Sequence, residues 1–304
     1  MSVDFKALKQ GGFMRQKDAG YFSLRLHLVA GQIDADKLMR VSEIANKYGK
    51  GYLHLTSRQG IEIPYVHLDN VDAIKKELEE CGVPTGVCGP RVRTVTACQG
   101  EKVCPRAMID CIDIADKVDE LYYGKTLPHK FKFAITGCPA GCVKPEENDI
   151  GVQGAILPRY ESEDCTMCGL CKEVCYSGAI DISADLQLTF DESLCNNCGE
   201  CVKSCPMSCW VPEKSGYLLF VGGKMGKKPR FADEVEGIIE DEAELFKLFE
   251  KTMDFFTENG LTRERFGDTL DRVGIDKLSS KLGRKVSPSV NGPAYCRACG
   301  KTSV

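Results

Sequence analysis

The sequence lacks the features that mark membrane-spanning, exported or polyanion-binding proteins. Its apolar runs, such as residues 217–221, are far shorter than the roughly 20 residues that a membrane-spanning helix needs. The N-terminus has no basic segment followed by an apolar one, so we expect no secretory signal and a cytoplasmic protein. The net charge of only −4 gives no global reason to expect binding to nucleic acid or to an anionic membrane.

Cysteine, in contrast, is abundant, with 18 among 304 residues. Disulfides would suit an exported chain, but this chain shows no export signal and most of its cysteines stand at metal-ligand spacings. The cysteines therefore favour metal or cluster binding in a reducing, oxygen-poor setting. The remaining composition is that of an ordinary globular protein, and the length indicates about two domains.

Two short cysteine pairs, Cys98–Cys104 and Cys138–Cys142, have neither ferredoxin nor zinc-knuckle spacing. The second pair forms a Gly-Cys-Pro-Ala-Gly-Cys turn directly after the apolar run 131–135, which is typical of cysteines presented at the end of a buried strand. Four thiolates suffice for one iron–sulfur cluster. We predict that these four residues build the catalytic centre.

A second cysteine arrangement has the spacing of bacterial two-cluster ferredoxins, Cys-x2-Cys-x2-Cys-x3-Cys, and it occurs twice. In that topology the fourth cysteine of each run binds the cluster of the other run. One [4Fe–4S] cluster would then take Cys165, Cys168, Cys171 and Cys205, and the other Cys195, Cys198, Cys201 and Cys175. Tyr176 replaces the proline usual after the first run. A zinc module is the alternative interpretation.

Hydrophobic periodicity predicts a small α+β sandwich near the N-terminus, after an entry arm of residues 1–20. Its elements are a strand over 21–28, a helix over 34–48, strands over 52–55 and 61–66, and a helix over 69–81. Further along, residues 105–123, 240–259 and about 263–274 are predicted to be helical.

Several basic residues are candidates for anion binding, each with a plainer alternative. Arg58 lies in the polar turn 56–60, which is also typical of a solvated loop. Lys130 and Lys132 share one face of a predicted strand that leads into the second cysteine pair, where they would form an anion pocket or face solvent.

Cys296 and Cys299, near the end of the chain, belong either to a flexible tail or to half of a metal site. Four cysteines have no partner at a ligand spacing and are interpreted as buried small residues: Cys81, Cys88, Cys111 and Cys209.

Taken in chain order, these motifs resemble the siroheme-dependent sulfite and nitrite reductases over roughly residues 12–290. The likeness is greatest to the catalytic subunit of anaerobic sulfite reductase and to dissimilatory-type sulfite reductase subunits, which carry an inserted ferredoxin. The motifs that match are Cys98-x5-Cys104 with Cys138-x3-Cys142, Thr56-Ser-Arg58-Gln-Gly, Arg93-Thr-Val, Lys130-Phe-Lys132, Asp149-Ile-Gly-Val-Gln-Gly and Gly222-Gly-Lys224.

The resemblance implies roles for these residues. Cys142 would bridge a [4Fe–4S] cluster to siroheme iron, while Arg58, Arg93, Lys130 and Lys132 would bind the substrate oxyanion, the lysines also donating protons if their pKa values depress one another. Siroheme carries eight carboxylates, so the basic segment that follows Gly223 would neutralise some of them or form a solvated loop. Its residues are Lys224, Lys227, Lys228 and Arg230.

The predicted fold is therefore α+β: a ferredoxin-like half-domain plus a siroheme-binding α/β domain with an inserted 2[4Fe–4S] ferredoxin domain. The predicted boundaries are 1–84 for the half-domain, 85–160 and 213–290 for the siroheme/[4Fe–4S] domain, 161–212 for the insertion and 291–304 for a tail. Insertion between adjacent strands is tolerated because the ends of such a domain lie close together.

The predicted function is six-electron reduction of sulfite to sulfide by siroheme and three [4Fe–4S] clusters, with electrons from an external ferredoxin or reductase subunit. The alternatives are a nitrite reductase forming ammonia, a non-catalytic electron-transfer subunit, and a related protein with another substrate. Larger family members hold two copies of the unit, with anion-binding residues in one and cluster cysteines in the other. This chain has a single copy, which predicts a homodimer with composite active sites, a heteromer being the alternative.

Overall fold

The computed structural model describes residues 3–288, so the Cys296–Cys299 pair and the predicted tail 291–304 lie outside the described residues. The contacts between residues define two compact units. The first contains the chain up to Ala97 together with Ile112–Phe133 and Gly260–Arg265. The second contains Cys98–Cys111, Ala134–Asn259 and the chain from Phe266 onward.

The first unit is built from short helices and strands. In chain order they are α1 (Phe5–Gln10), β1 (Phe13–Arg15), β2 (Tyr21–Arg25), α2 (Ala35–Tyr48), β3 (His54–Leu55), β4 (Ile61–His67), α3 (Val71–Glu80), β5 (Thr96–Ala97) and α4 (Cys111–Tyr122). Short 3-10 turns at Val29–Gly31 and Leu68–Asn70 precede α2 and α3.

An antiparallel sheet in the order β1-β2-β4-β3 carries the core of this unit. Alternate residues of the strands, such as Leu24 and Ile63, are fully buried, and so is one side of each long helix, including Ile44 and Ile74. Apolar periodicity of 2 in strands and 3.6 in helices places these side chains in one core. The predicted α+β sandwich is confirmed.

The predicted entry arm is wrong as a description of residues 1–20. Helix α1 begins after Asp4, whose carboxylate caps it by accepting hydrogen bonds from the backbone N–H groups of Lys6 and Ala7. Strand β1 then pairs with β2, and Phe13 is buried in the core. Three-residue strands are too short for a visible alternation of polar and apolar residues, so the sequence does not reveal β1.

Helix α4 belongs with the first unit, although the predicted boundary at residue 84 assigns it to the central domain. The His27 ring stacks on Tyr123 with 3.7 Å between centroids, and its Nε2 lies 3.0 Å from Asp119 Oδ1. The Tyr123 hydroxyl in turn accepts a 2.7 Å hydrogen bond from the backbone N–H of Val87. These contacts join residues that are far apart in sequence, and the boundary at residue 84 stays a prediction.

The second unit contains the remaining strands and helices. They are β6 (Phe133–Thr136), β7 (Ile150–Tyr160), α5 (Leu170–Val174), β8 (Ile180–Ile182), β9 (Leu188–Phe190), α6 (Glu200–Ser204), β10 (Trp210–Val221), β11 (Asp233–Ile239), α7 (Glu242–Asn259), α8 (Phe266–Val273), α9 (Ile275–Leu282) and β12 (Val286–Ser287). Its strands lie in the order β12-β11-β10-β7-β6, and the 3-10 turns Pro145–Glu147 and Glu192–Leu194 precede β7 and Cys195.

Strands β7 and β10 pair antiparallel along their whole length, from Ile150 opposite Val221 to Tyr160 opposite Trp210. The chain therefore leaves the sheet after Tyr160 and re-enters it at Trp210 directly opposite. Between these points the β8–β9 hairpin, α5 and α6 form a small subdomain. Its core includes Ile180 and Trp210.

Candidate active site and cysteine centres

A strongly basic cavity of about 1090 Å³ lies within the first unit. All four residues predicted to bind the substrate line it: Arg58, Arg93, Lys130 and Lys132. Among the described residues, eight lysines and arginines line the cavity, against a single carboxylate, that of Glu62. An anion is the ligand that such a concentration of positive charge attracts.

Arg58 is held in a tight turn between β3 and β4. The Thr56 hydroxyl oxygen accepts a hydrogen bond from Gly60 N–H, and Gln59 adopts a left-handed backbone with φ +57°. The Gln59 amide exchanges two hydrogen bonds with the backbone of Ala97, at 2.8 and 2.9 Å. Arg58 itself donates to the Thr94 carbonyl at 3.1 Å. The turn is therefore tied to the segment that leads to Cys98 and is not a loose solvated loop.

Arg93 is fixed by two backbone carbonyls. Its Nη1 donates to Val87 O at 3.2 Å and its Nη2 to Gly89 O at 2.9 Å. The Nε atom is buried and has no hydrogen-bond partner among the described residues. A buried donor of this kind costs free energy unless a ligand or water satisfies it.

Lys130 and Lys132 alternate with two fully buried phenylalanines, Phe131 and Phe133. The aromatic rings contact each other with 5.6 Å between centroids, so they anchor this segment in the core. The alternation sends both lysines to the opposite side, where they line the basic cavity. The sequence predicted this arrangement.

Four further basic residues line the cavity and were not among the predicted site residues. They are Lys6, Lys9, Arg25 and Arg263. The two lysines lie on α1, which was not predicted as a helix. Arg25 follows the buried Leu24 on β2, so the alternation of the strand indicates that its side chain points away from the core. The sequence does not indicate that this side chain lines the cavity. Its guanidinium pairs with Glu62 at 2.6 Å.

The cysteines of the two short pairs lie in the second unit. Burial raises the pKa of the Cys138 thiol, and the nearby charges of Cys142, Cys104 and Cys98 raise it further. The four sulfur atoms are thus electrostatic neighbours, as the predicted cluster requires. Cys142, the predicted bridging ligand, is the exposed member of the set.

Cys98 has a particular environment within this set. Its sulfur accepts a hydrogen bond from Gly137 N–H at 3.1 Å and lies 3.5 Å from the sulfur of Cys111. Hydrogen bonding from Cys111 is the main cause that lowers the pKa of Cys98 to about 5, against the effect of burial. Cys111 is fully buried, and its own pKa is raised by Cys98. Spacing along the chain did not reveal this pair, because Cys111 lies outside the ligand pattern.

The repeated cysteine runs line two separate small cavities in the inserted subdomain. The first cavity is lined by Cys165, Cys168, Cys171 and Cys205, and also by Cys209, which lies outside both runs. The second is lined by Cys175, Cys195, Cys198 and Cys201. Each cavity thus joins three cysteines of one run to the fourth cysteine of the other, which is the grouping predicted from the spacing.

The surroundings of these cavities fit iron–sulfur clusters. The indole Nε1 of Trp210, beside the first cavity, is buried without a hydrogen-bond partner among the described residues, as a donor to cluster sulfur would be. Burial and then the charges of Cys198, Cys195 and Cys175 raise the pKa of Cys201 to about 12. Bound iron supplies the positive charge that lets such thiols ionise together.

Within residues 3–288, no three His, Cys, Asp or Glu side chains are placed to hold one metal ion. A [4Fe–4S] cluster takes its four thiolates on different iron atoms, so its ligands do not converge on one point.

The basic segment after Gly223 has mainly internal partners. Lys224 is buried and pairs with Asp268, and Arg230 pairs with Asp233 at 2.6 Å and with Asp271 at 2.8 Å. Lys227 and Lys228 are exposed. The interpretation as a solvated loop is therefore wrong for Lys224 and Arg230, because aspartates on α8 and at the start of β11 hold them.

Two family descriptions match the chain. "Nitrite/Sulfite reductase ferredoxin-like half domain" matches residues 14–81, and "Nitrite and sulphite reductase 4Fe-4S domain" matches residues 88–289, about two thirds of the chain. The chain belongs to the nitrite and sulphite reductase family. The predicted family and, with it, the oxidoreductase class are confirmed, as are the half-domain and the 4Fe–4S domain of the predicted fold.

Individual members of this reductase family resemble the chain over different extents. A coenzyme F420-dependent sulfite reductase of Methanocaldococcus jannaschii is 32% identical over 277 residues, covering 90% of this chain and 44% of that protein. One subunit of the anaerobic sulfite reductase of Salmonella typhimurium is 30% identical over 197 residues, covering 59% of this chain and 58% of that protein. The chain therefore spans about half the length of these two relatives.

The crystal structure of dissimilatory sulfite reductase I superimposes with a TM-score of 0.71 at 22% identity, over 90% of this chain and 72% of that one. This likeness establishes the shared reductase fold. No helix within residues 3–288 is long and apolar enough to cross a membrane.

Proposed function

We propose that the protein is a siroheme-dependent sulfite reductase that reduces sulfite to sulfide with six electrons. The observation that carries the proposal is the basic cavity, because four basic residues predicted from three separate motifs line it together. The two family descriptions supply the reaction class. Nitrite reduction to ammonia is the second candidate, since the family description names both anions and the same cations bind either.

The residues of the cavity provide what a small oxyanion needs. Arg93 is held by Val87 O and Gly89 O, and Arg58 by Thr94 O, so both guanidinium groups are oriented before substrate arrives. A fixed guanidinium can donate two parallel hydrogen bonds to an oxyanion. Lys130 and Lys132 add two ammonium groups, which bind the anion and donate protons to the oxygen atoms that leave as water.

The cofactors would be held by two classes of residue. Siroheme and three [4Fe–4S] clusters, when bound, supply the electron transfer that no side chain can provide. We assign Cys98, Cys104, Cys138 and Cys142 to the cluster next to siroheme, with Cys142 as the bridging ligand. The exposed Lys227 and Lys228 remain candidates for siroheme carboxylates. Because Lys224 and Arg230 are paired with aspartates, they would contribute there mainly by shaping this segment.

The inserted subdomain is proposed to be a two-cluster ferredoxin that receives electrons from an external donor protein. Its support is the pair of cavities, each of which brings together three cysteines of one run and the fourth cysteine of the other. We further propose a homodimer in which the cysteines of one copy work with the basic cavity of the other, since the single chain carries both sets once. In the part of the chain that the structure describes, the two sets belong to different units.

The absorption spectrum of anaerobically purified protein tests the proposal. We expect a Soret band and a red band from siroheme on top of the broad iron–sulfur absorption. Viologen-dependent reduction should be faster with sulfite than with nitrite at equal concentration. Iron–sulfur absorption alone would contradict the reductase and favour an electron-transfer subunit, whereas a preference for nitrite would favour the second candidate.

A further inference from the structure

The side chain of Lys203 joins the inserted subdomain to the segment that follows Cys104. Lys203 lies on α6, and its Nζ donates hydrogen bonds to the carbonyl oxygens of Pro105, Arg106 and Ala107 at 3.1, 3.1 and 3.2 Å. An ammonium group has three donors, so this geometry uses all of them. A lysine on a solvent-exposed helix would otherwise retain the freedom of its long side chain.

A close backbone approach accompanies this contact. Gly199, which precedes α6, has a left-handed backbone with φ +65°, and a Cβ there would lie 3.0 Å from Ile156 Cδ1 and 3.4 Å from the sulfur of Met108. The N–H of Ile156 donates to Asn197 O at 2.9 Å. The turn that carries Cys198 therefore packs on β7 and on the Cys104–Cys111 segment at once.

A lysine at a neighbouring position of the other cysteine run behaves differently; the residue of that run equivalent to Lys203 is Glu173. Lys172 lies on α5, between Cys171 and Cys175, as Lys203 lies between Cys201 and Cys205. Its ammonium pairs with Asp181 at 2.7 Å, within the inserted subdomain itself. The two runs are similar in sequence, but of these two lysines it is Lys203 that reaches a segment between Cys98 and Cys111.

We propose that Lys203 is a positioning residue that holds the cysteine set of the second cavity against the segment carrying Cys104. This inference rests on the proposed function for the assignment of clusters to the cysteines. Lys203 lies between Cys201 and Cys205 in sequence, and its ammonium binds the three carbonyl groups that directly follow Cys104, so one side chain links the two cysteine-bearing segments. The set formed by Cys175, Cys195, Cys198 and Cys201 is thereby the one kept next to the proposed siroheme-coupled cluster.

Hydrogen–deuterium exchange of the purified holoprotein tests the contact directly. In a Lys203→Met variant we expect the amides of residues 106–110 and 199–204 to exchange about tenfold faster, which corresponds to ~1.4 kcal/mol. Lys172→Met is the matched control and should leave both segments unchanged. Lys203→Arg, which keeps the charge and the donors, should restore most of the protection. Equal exchange in Lys203→Met and the unaltered protein would overturn the proposal.

Electron paramagnetic resonance of the dithionite-reduced proteins gives a second measurement that does not depend on turnover. We expect spin–spin broadening between two reduced clusters in the unaltered protein and in Lys172→Met, and a narrower signal in Lys203→Met at equal iron content. Unchanged broadening at equal iron would count against the positioning role. If Lys203→Met fails to fold, Lys203→Gln takes its place in both measurements.

Iron analysis of the unaltered protein distinguishes a failure of the proposed function from a failure of the proposed role of Lys203. Protein without iron–sulfur clusters would refute the proposed function, while the exchange measurement would still decide whether Lys203 holds the two segments together.

Discussion

The sulfur of Cys111 lies 3.5 Å from the sulfur of Cys98, so a cysteine outside the ligand spacing contacts a predicted cluster ligand. The two sulfur atoms share a hydrogen bond, and this bond is the main cause that lowers the pKa of the Cys98 thiol to about 5. Cys111 is fully buried and remains protonated, because ionising it would place two negative charges side by side. Hydrogen bonds to cluster sulfur also influence the reduction potential of a cluster.

Cys98 of the cluster-free protein should therefore react with iodoacetamide at unusually low pH. A lowered pKa means that the thiolate is already present above about pH 5, whereas an ordinary thiol with a pKa of about 8.5 is well under 1% ionised at pH 6. Cys111→Ala removes the donor, so the midpoint of Cys98 alkylation should move toward higher pH. Mass spectrometry of the Cys98 peptide measures this.

Cys81→Ala is the control for this alkylation experiment, because Cys81 donates to Leu78 O within the first unit. It should leave the Cys98 profile unchanged. A Cys98 midpoint near that of an ordinary thiol in the unaltered cluster-free protein would contradict the effect of Cys111.

Replacing Arg93 with lysine should impair catalysis even though the charge is kept. Lysine cannot reproduce a fork that is held by Val87 O and Gly89 O and still offers donors to an anion. We expect kcat/KM for sulfite to fall by about 100-fold, which is within the range for a lost charge-assisted pair. Steady-state assays with reduced viologen measure the ratio.

Arg91→Lys is the matched control for Arg93→Lys, because Arg91 is two residues away and does not line the basic cavity. Its kinetics should match those of the unaltered protein. Equal losses in both variants would indicate a general effect on the segment and would argue against substrate binding by Arg93.

Cys205→Ala should remove the cluster of the first run and leave that of the second. Cys205 shares its cavity with Cys165, Cys168 and Cys171, although it lies in the second run. Loss of one [4Fe–4S] cluster lowers the iron content by about four atoms per chain. Cys209→Ala is the control, since Cys209 lines the same cavity but is not a predicted ligand. Iron loss in Cys209→Ala alone would refute the assignment.

Mixing two inactive variants tests the composite homodimer. Cys142→Ala lacks the proposed bridging ligand, and the Lys130→Ala/Lys132→Ala double variant lacks both cavity lysines. If each active site takes cysteines from one copy and basic residues from its mate, a mixed dimer has one site with both defects and one site that is complete. We therefore expect reductase activity to return on mixing, up to about a quarter of that of the unaltered protein for random exchange.

The mixing experiment requires that protomers exchange, which native mass spectrometry of differently tagged variants measures. Mixed dimers without any recovered activity would refute the composite site, and a monomer in solution would refute the homodimer.

The sequence alone determined the parts of this protein whose information is local. The repeated spacing predicted how the eight cysteines of the two runs are grouped, and alternation placed Phe131 and Phe133 in the core and both neighbouring lysines on the opposite side. Periodicity also predicted α2 and α7 to within two residues, because a long amphipathic helix repeats its signal over several turns.

The tertiary structure decided which distant residues meet. The basic cavity brings Lys6, Lys9 and Arg263 together with Arg93. Lys224 pairs with Asp268, and Lys203 contacts three carbonyl groups about 97 residues earlier. The two lysines of the cysteine runs, Lys172 and Lys203, show the reason. Each lies between the third and fourth cysteines of its run, but a side-chain contact depends on what the fold brings opposite each helix. No spacing rule along the chain carries that information.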